Sequence, residues 1–87
     1  MRLKYSFEIV ELQDDIIAVP VGAEADQMRG IVKLNQSGKE IFDLLREDTT
    51  EDAIVSVLSD KYDDDRDVIM NYVHSLIESL RQVGIIS

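Results

Sequence analysis

The stretch that decides the fold is Gly30-Ile31-Val32-Lys33-Leu34-Asn35-Gln36-Ser37-Gly38, followed directly by Lys39-Glu40-Ile41-Phe42-Asp43-Leu44-Leu45. Its first part is typical of a short strand, and the polar Asn35 marks where that strand stops. Its second part places Ile41, Leu44 and Leu45 on one face at helical spacing, which predicts an amphipathic helix. None of these residues has the chemistry of a catalyst. A strand with a free backbone beside helices suggests a surface that holds another polypeptide.

Length and composition indicate a small globular protein. Eighty-seven residues predict one domain, 1–87, and 45% apolar with 31% charged residues is ordinary for a globular chain. The chain has no Cys, which excludes a thiolate nucleophile and fits a reducing compartment. Glu8 and Glu11 interrupt any signal-peptide core, and the longest apolar run, Ile16 to Val21, is far short of the roughly 20 residues that span a bilayer. We therefore expect an unprocessed, cytoplasmic protein that does not bind membranes.

The net charge is strongly negative. Nine Lys and Arg residues stand against eighteen Asp and Glu residues, which gives −9. A field of that sign repels phosphate backbones, which bind proteins chiefly through clusters of Lys and Arg. The composition therefore disfavours nucleic acid as a partner.

The order of the predicted elements indicates an α+β fold. Residues 6–12 and 15–21 are rich in β-branched side chains and flank Gln13-Asp14, which predicts a β-hairpin. Residues 22–28 are predicted to be a loop, and Arg29–Leu34 is the third strand. Three helices follow, so we expect a winged-helix-like domain with a three-stranded antiparallel sheet followed by three helices.

Two capping boxes mark the starts of the first two helices. The first is Ser37-x-x-Glu40, in which Ser37 would accept an N–H of the first turn and Glu40 would reach back to the cap. The second is Thr49-x-x-Asp52, an acidic relative of the same motif. The third helix is predicted to start after Asp63-Asp64-Asp65, whose charge complements a helix N-terminus.

The third helix is predicted to run to about Val83, and it carries more apolar surface than a core requires. Its apolar side chains spread over about 180° of the circumference, whereas a helix resting on a core needs a stripe of about 100°. The middle of this arc, predicted to be core, is formed by Leu76 and Ile69; one flank is formed by Val68 and Tyr72 and the other by Val73 and Ile77. Either a flank covers the first helix and the C-terminal tail, or a flank is left for a ligand helix or strand.

The chain offers little that resembles a catalytic or metal site. Asp63, Asp65 and Asp67 have the spacing of a calcium loop, but Val68 replaces the required Gly and His74 replaces the closing Glu. His74 is the only His, and it is predicted to project from the polar arc of the last helix as a solvated residue. No Gly-rich phosphate loop is present. We therefore predict that the protein is not an enzyme, with no catalytic residue, cofactor or metal.

Together these segments resemble the PqqD family, from about Phe7 to Ile86. The resemblance rests on the order and spacing of several motifs rather than on one diagnostic element. They are the stretch from Gly30 to Leu45 quoted above, Thr49-Thr50-Glu51, Tyr62-Asp63, and the ending Leu76-Ile77-x-x-Leu80-x-x-Val83-Gly84-Ile85-Ile86.

The resemblance implies a non-catalytic peptide chaperone. Such proteins hold the leader of a ribosomally made precursor peptide and present it to a modifying enzyme, often a radical SAM protein. The leader would add as a strand beside the third strand, in a groove closed by the last helix. The implied peptide-binding residues are Arg29, Gly30, Ile31, Val32, Lys33, Leu34, Val68, Tyr72 and Leu76. Because family members occur beside different enzymes, the resemblance does not identify pyrroloquinoline quinone as the product.

The physics of strand edges agrees with this interpretation. An unpaired edge is a template for pairing, and strand addition takes affinity from the backbone and selectivity from alternate side chains. Side chains alternate along a strand, so Val32 and Leu34 point to one face, predicted to be the core, and Ile31 and Lys33 to the other. Lys33 either blocks unwanted pairing or attracts an acidic leader.

Two alternatives stay open at this point. A winged-helix DNA-binding regulator would need a basic recognition helix, yet the second helix carries Glu51, Asp52 and Asp60 against Lys61 alone. A structural domain could instead dimerise through the same edge and groove, by strand exchange through residues 22–28. The sequence does not distinguish a monomer from a homodimer.

Overall fold

Three strands precede three helices in a computed structural model that describes residues 1–22 and 31–86. The elements are β1 (Ser6–Glu11), β2 (Ile16–Val21), β3 (Val32–Leu34), α1 (Gln36–Leu44), α2 (Glu51–Lys61) and α3 (Arg66–Gln82). This order confirms the predicted α+β fold, with a three-stranded antiparallel sheet followed by three helices.

The sheet begins with the predicted hairpin. β1 and β2 pair antiparallel from Ser6↔Val21 to Glu11↔Ile16. The backbone N–H of Leu12 donates to the carbonyl of Asp15 at 2.7 Å and closes the turn around Gln13-Asp14. β2 then pairs antiparallel with β3, so β2 is the central strand of the described sheet.

The third strand is shorter than predicted within the described residues. It covers Val32–Leu34, and Ile31 is described but lies outside the strand. Arg29 and Gly30 lie outside the described residues, as does most of the predicted loop 22–28. Gly22, where that loop begins, has φ of 92°, a conformation that favours glycine because it has no Cβ.

The core joins the sheet, the helices and both chain ends. The rings of Phe7 on β1 and Phe42 on α1 meet edge to face at 5.3 Å, an arrangement that suits the ring quadrupoles. The N-terminal segment is fastened by backbone hydrogen bonds from Leu3 to the Leu45 carbonyl (2.9 Å) and from Lys4 to the Ile85 carbonyl (2.7 Å). The buried residues are Leu3, Phe7, Ala18, Ile41, Phe42, Leu45, Ile54, Val55, Leu58, Ile69, Val73, Ile77, Leu80, Ile85 and Ile86.

Helix α1 starts earlier than the Ser37 capping box predicted. Its N-cap is Asn35, whose side-chain oxygen accepts the backbone N–H of Gly38 at 2.8 Å. The box prediction was wrong because Asn35, the residue at which the strand ends, already has the extended backbone of a cap. Glu40 does not reach back to the cap. Its carboxylate accepts from Lys61 Nζ and from the Tyr62 hydroxyl, each at 2.8 Å, and so ties α1 to the end of α2.

Helix α2 starts one residue later than predicted. Thr50, not Thr49, is the N-cap, and its hydroxyl accepts the backbone N–H of Ala53 at 3.1 Å. The backbone of Thr49 is used elsewhere, because its N–H donates to the carbonyl of Met1 at 2.8 Å. Thr49 and Thr50 carry the same hydroxyl, so local sequence does not decide which of them caps the helix. In the folded chain the backbone of Thr49 binds Met1, and Thr50 is the cap.

Helix α3 ends as predicted but is rotated relative to the expected core stripe. It ends at Gln82, and Gly84 follows with φ of 77°. The core prediction for Leu76 was only half right, since this side chain is partly buried and packs against the edge of the core. The buried stripe consists of Ile69, Val73, Ile77 and Leu80. The core therefore takes one flank of the predicted arc, and the flank of Val68 (56% exposed) and Tyr72 (36% exposed) is left uncovered.

The N-cap of α2 gives a matched test of the helix start. Thr50→Ala should lower the free energy of unfolding by about 1 kcal/mol, because one N–H of the first turn loses its acceptor. Thr49→Ala should change it by less than about 0.5 kcal/mol, since its hydroxyl does not cap the helix. Urea unfolding of both variants measures the difference. Equal losses would place the cap elsewhere.

The contacts of Glu40 predict a pH-dependent stability. The hydrogen bonds from Lys61 and then Tyr62 hold the pKa of the Glu40 carboxyl below its usual value of 4.5. A carboxyl whose folded pKa is depressed stabilises the fold above its unfolded pKa, and this stabilisation is lost as the pH falls through the folded pKa. Glu40→Gln should therefore cost about 0.5 kcal/mol at pH 7, because the site is near solvent, and progressively less below pH 4.5. Urea unfolding at several pH values tests this, and a loss independent of pH would contradict it.

Candidate peptide-binding groove

The outer edge of β3 is the first element of the candidate site. β3 pairs with β2 through Ala18↔Val32, Ile17↔Lys33 and Ile16↔Leu34. Within residues 1–22 and 31–86, no strand lies on its other side. The outward-facing amides and carbonyls of this short strand therefore have no strand partner in the described part of the chain, and such an edge is a template for pairing.

Side chains along β3 alternate as the sequence predicted. Val32 and Leu34 are half-buried and pack against the core, so they face it as predicted, although they lie at its edge as Leu76 does. Lys33 is exposed, and Ile31 is 55% exposed. Lys33 Nζ lies 3.4 Å from a carboxylate oxygen of Asp15 in the hairpin turn. Its charge is thus partly balanced within the sheet.

Two hollows flank Tyr72, and the smaller of them lies beside the end of β3. The larger, of about 260 Å³, lies between the start of α1, the end of α2 and the first half of α3. It is lined by Ser37, Leu58, Tyr62, Asp64, Val68, Ile69 and Tyr72. The smaller, of about 200 Å³, lies between the end of β3 and α3, and it is lined by Lys33, Leu34, Asn35, Gly38, Tyr72 and Leu76. The two hollows share Tyr72 and together form the groove.

The hydroxyl of Tyr72 joins α3 to the strand–helix junction. It donates to the side-chain oxygen of Asn35 at 2.9 Å and accepts from the Ser37 hydroxyl at 3.0 Å. The same Asn35 oxygen caps α1 by accepting from Gly38 N. One side chain therefore both starts α1 and holds the residue that divides the groove.

Gly38 lets these groups come close together. A Cβ at this position would lie 3.1 Å from the Asn35 side-chain oxygen and 3.4 Å from a methyl carbon of Leu34. The contact with the Asn35 oxygen would be tight, so a larger residue would require the cap to shift slightly. The glycine thus maintains the floor of the smaller hollow.

The structure brings together part of the predicted set. Lys33, Leu34, Tyr72 and Leu76 line one hollow, and Val68 joins Tyr72 in the other. Ile31 and Val32 line neither hollow, and Arg29 and Gly30 lie outside the described residues. The sequence prediction missed the lining residues Asn35, Ser37, Gly38, Leu58, Tyr62, Asp64 and Ile69. The position of Asn35 at the strand end was a usable signal for the first of them. The contribution of α2 had no signal, because it depends on how α2 packs against α3.

Comparisons with known proteins show what this chain is similar to. No helix of the described residues has the length and apolar character needed to cross a membrane. Comparison with curated proteins and with solved structures finds no match. The family model described as coenzyme PQQ synthesis protein D (PqqD) matches residues 21–86. That range contains β3, all three helices and every residue that lines the two hollows. The chain therefore belongs to the PqqD family.

Proposed function

We propose that this protein is a non-catalytic, cytoplasmic chaperone that holds the leader of a ribosomally made precursor peptide and presents it to a modifying enzyme. The leader adds as a strand to the outer edge of β3 and lies in the groove against α3. The observation that carries this proposal is the outer edge of β3, which has no strand partner within residues 1–22 and 31–86, beside an exposed apolar flank of α3. Membership of the PqqD family supports a peptide-recognition role in the synthesis of a modified peptide.

Strand addition explains how one short edge could select a peptide. The backbone of the leader would pair with β3 and with Ile31 directly before it, which gives affinity without regard to sequence. Alternate side chains of the added strand would point toward α3, spaced about 7 Å apart. The hollows on either side of Tyr72 would receive two such apolar side chains, which gives selectivity.

The expected binding free energies show why the leader needs both the apolar hollows and the edge of β3. Burying two Leu-sized side chains contributes about 3 to 6 kcal/mol. Ordering a disordered segment on binding costs about 2 to 5 kcal/mol, so the two hollows alone would barely hold a peptide. The backbone hydrogen bonds of the β3 edge must supply much of the remaining affinity.

The charged groups near the site fit a peptide better than a nucleic acid. Lys61, the single basic residue of α2, is paired with Glu40 at 2.8 Å. A recognition helix for DNA would need free basic groups there. Lys33 on the β3 edge suits the blocking role, because a charge on an edge strand discourages pairing with a second copy of the chain.

The modifying enzyme is proposed to be a radical SAM protein, by analogy with the family's usual partners. The groove would recognise the leader and not the modified core, so it does not identify the final product of the pathway. The neighbouring genes would supply the probe, a short peptide encoded beside this gene. A peptide of that sequence allows the groove to be tested directly.

The edge of β3 is tested by Ile31→Pro. Proline removes the backbone N–H of residue 31. The pairing of β3 with β2 begins at Val32, so it should stay intact. Binding of the neighbouring-gene leader should weaken about threefold to tenfold, which is the contribution of one hydrogen bond. Isothermal titration calorimetry measures the affinity, and circular dichroism should show an unchanged helical signal.

The control for this variant is Ile31→Ala, which shortens the side chain but keeps the N–H. Equal weakening by both variants would assign the effect to the side chain. Unchanged affinity in Ile31→Pro would argue against strand addition at this position.

The wall of the groove is tested at Tyr72. Tyr72→Ala removes the ring shared by the two hollows and should weaken leader binding at least about tenfold. Tyr72→Phe keeps the ring and should stay within about threefold, because only the hydroxyl contacts with Asn35 and Ser37 are lost. Met70→Ala is the matched control, since Met70 is an exposed apolar residue of α3 (43%) that lines neither hollow. If Met70→Ala weakens binding and Tyr72→Ala does not, the leader binds another face of α3.

A further inference from the structure

Away from the groove, the structure brings the only histidine of the chain next to two carboxylates. Glu51, His74 and Glu78 each offer one ligand atom, and these atoms all lie within 4.8 Å of one another. We propose that these three residues form a binding site for a divalent transition-metal ion such as zinc, and that the ion links the start of α2 to the middle of α3.

The helices already hold the ligands in a suitable arrangement. His74 and Glu78 are four residues apart in α3, so they share one face of the helix. Glu51 is the first residue of α2, and its two carboxylate oxygens lie 3.2 and 3.3 Å from Nδ1 of His74. Two ligands bound tetrahedrally to zinc at about 2.0 to 2.1 Å stand about 3.3 Å apart. An ion could therefore enter between the two side chains with little movement.

The chemistry of the three ligands fits a borderline metal ion. One imidazole nitrogen with carboxylate oxygens is a donor set that zinc accepts, and three protein ligands leave a fourth position for water. Two carboxylates balance the charge of a dication. The net charge of −9 also raises the concentration of cations near the surface.

Two features oppose the ion and limit its affinity. Glu78 is engaged by Arg81, whose Nη1 lies 2.6 Å from its carboxylate oxygen, and this contact must open. Glu51 also stands at the N-terminus of α2, where the helix dipole favours anions over cations. We therefore expect binding in the micromolar range, and removing Arg81 should strengthen it.

This site is separate from the groove. At 100° per residue, His74 lies about 160° around α3 from Tyr72. None of the three ligands lines either hollow. The inference therefore does not rest on the proposed function.

The test uses untagged protein and zinc sulfate in a buffer that does not chelate metals. Calorimetry should give one zinc ion per chain, and the melting temperature should rise by about 5 °C or more at free zinc tenfold above Kd. His74→Gln and Glu51→Gln should each weaken binding at least about tenfold. Glu47→Gln, which removes an exposed carboxylate outside the cluster, should not. Arg81→Ala should tighten binding, and magnesium, which prefers oxygen ligands, should bind at least about tenfold more weakly.

Some outcomes would overturn the proposal. No heat and no rise in melting temperature up to 1 mM zinc, or zinc binding that His74→Gln leaves unchanged, would show that no such site exists. Several weak sites insensitive to His74 would indicate adventitious binding to the acidic surface. If a variant folds poorly, the unaltered protein still decides the question, because NMR signals of the His74 ring must shift on addition of zinc.

Discussion

The side-chain oxygen of Asn35 is the atom on which the arrangement of the site depends. It accepts from Gly38 N at 2.8 Å and from the Tyr72 hydroxyl at 2.9 Å. The first contact ends the strand and starts α1 within one residue. The second fixes α3 against that junction. These contacts of a single amide join the end of β3, the start of α1 and the groove-facing side of α3, while the buried face of α3 holds the helix on the core.

The groove exists because α3 carries more apolar surface than the core accepts. Ile69, Val73 and Ile77 are buried, which leaves Val68 and Tyr72 facing solvent near a strand whose outer edge has no partner among the residues that the structure describes. Such a combination is normally an aggregation hazard. The net charge of −9 opposes the close approach of two copies of the chain. An exposed apolar flank on a strongly acidic chain is the combination on which the proposed binding of an extended peptide rests.

The sequence predicted well those features that depend on neighbouring residues. The hairpin, the three helices and the alternation of Val32 and Lys33 follow from local patterns, and each was found near its predicted place. The errors arose where two nearby residues could cap the same helix, or where a side chain binds a residue that is far away in the sequence. Asn35 competed with Ser37 as a cap. Glu40 does not form the predicted capping box and instead accepts from Lys61 and Tyr62, which are 21 and 22 residues away.

Distant pairs of this kind also define both proposed sites. The contact of Tyr72 with Asn35 spans 37 residues, and that of His74 with Glu51 spans 23. Both depend on how α3 packs, which no local pattern encodes. α2 begins at Glu51 beside His74 and ends at Lys61, directly before Tyr62 in the larger hollow, so the two proposed sites lie at opposite ends of one helix. Any effect of the ion on leader binding must then be matched by an equal effect of the leader on ion binding.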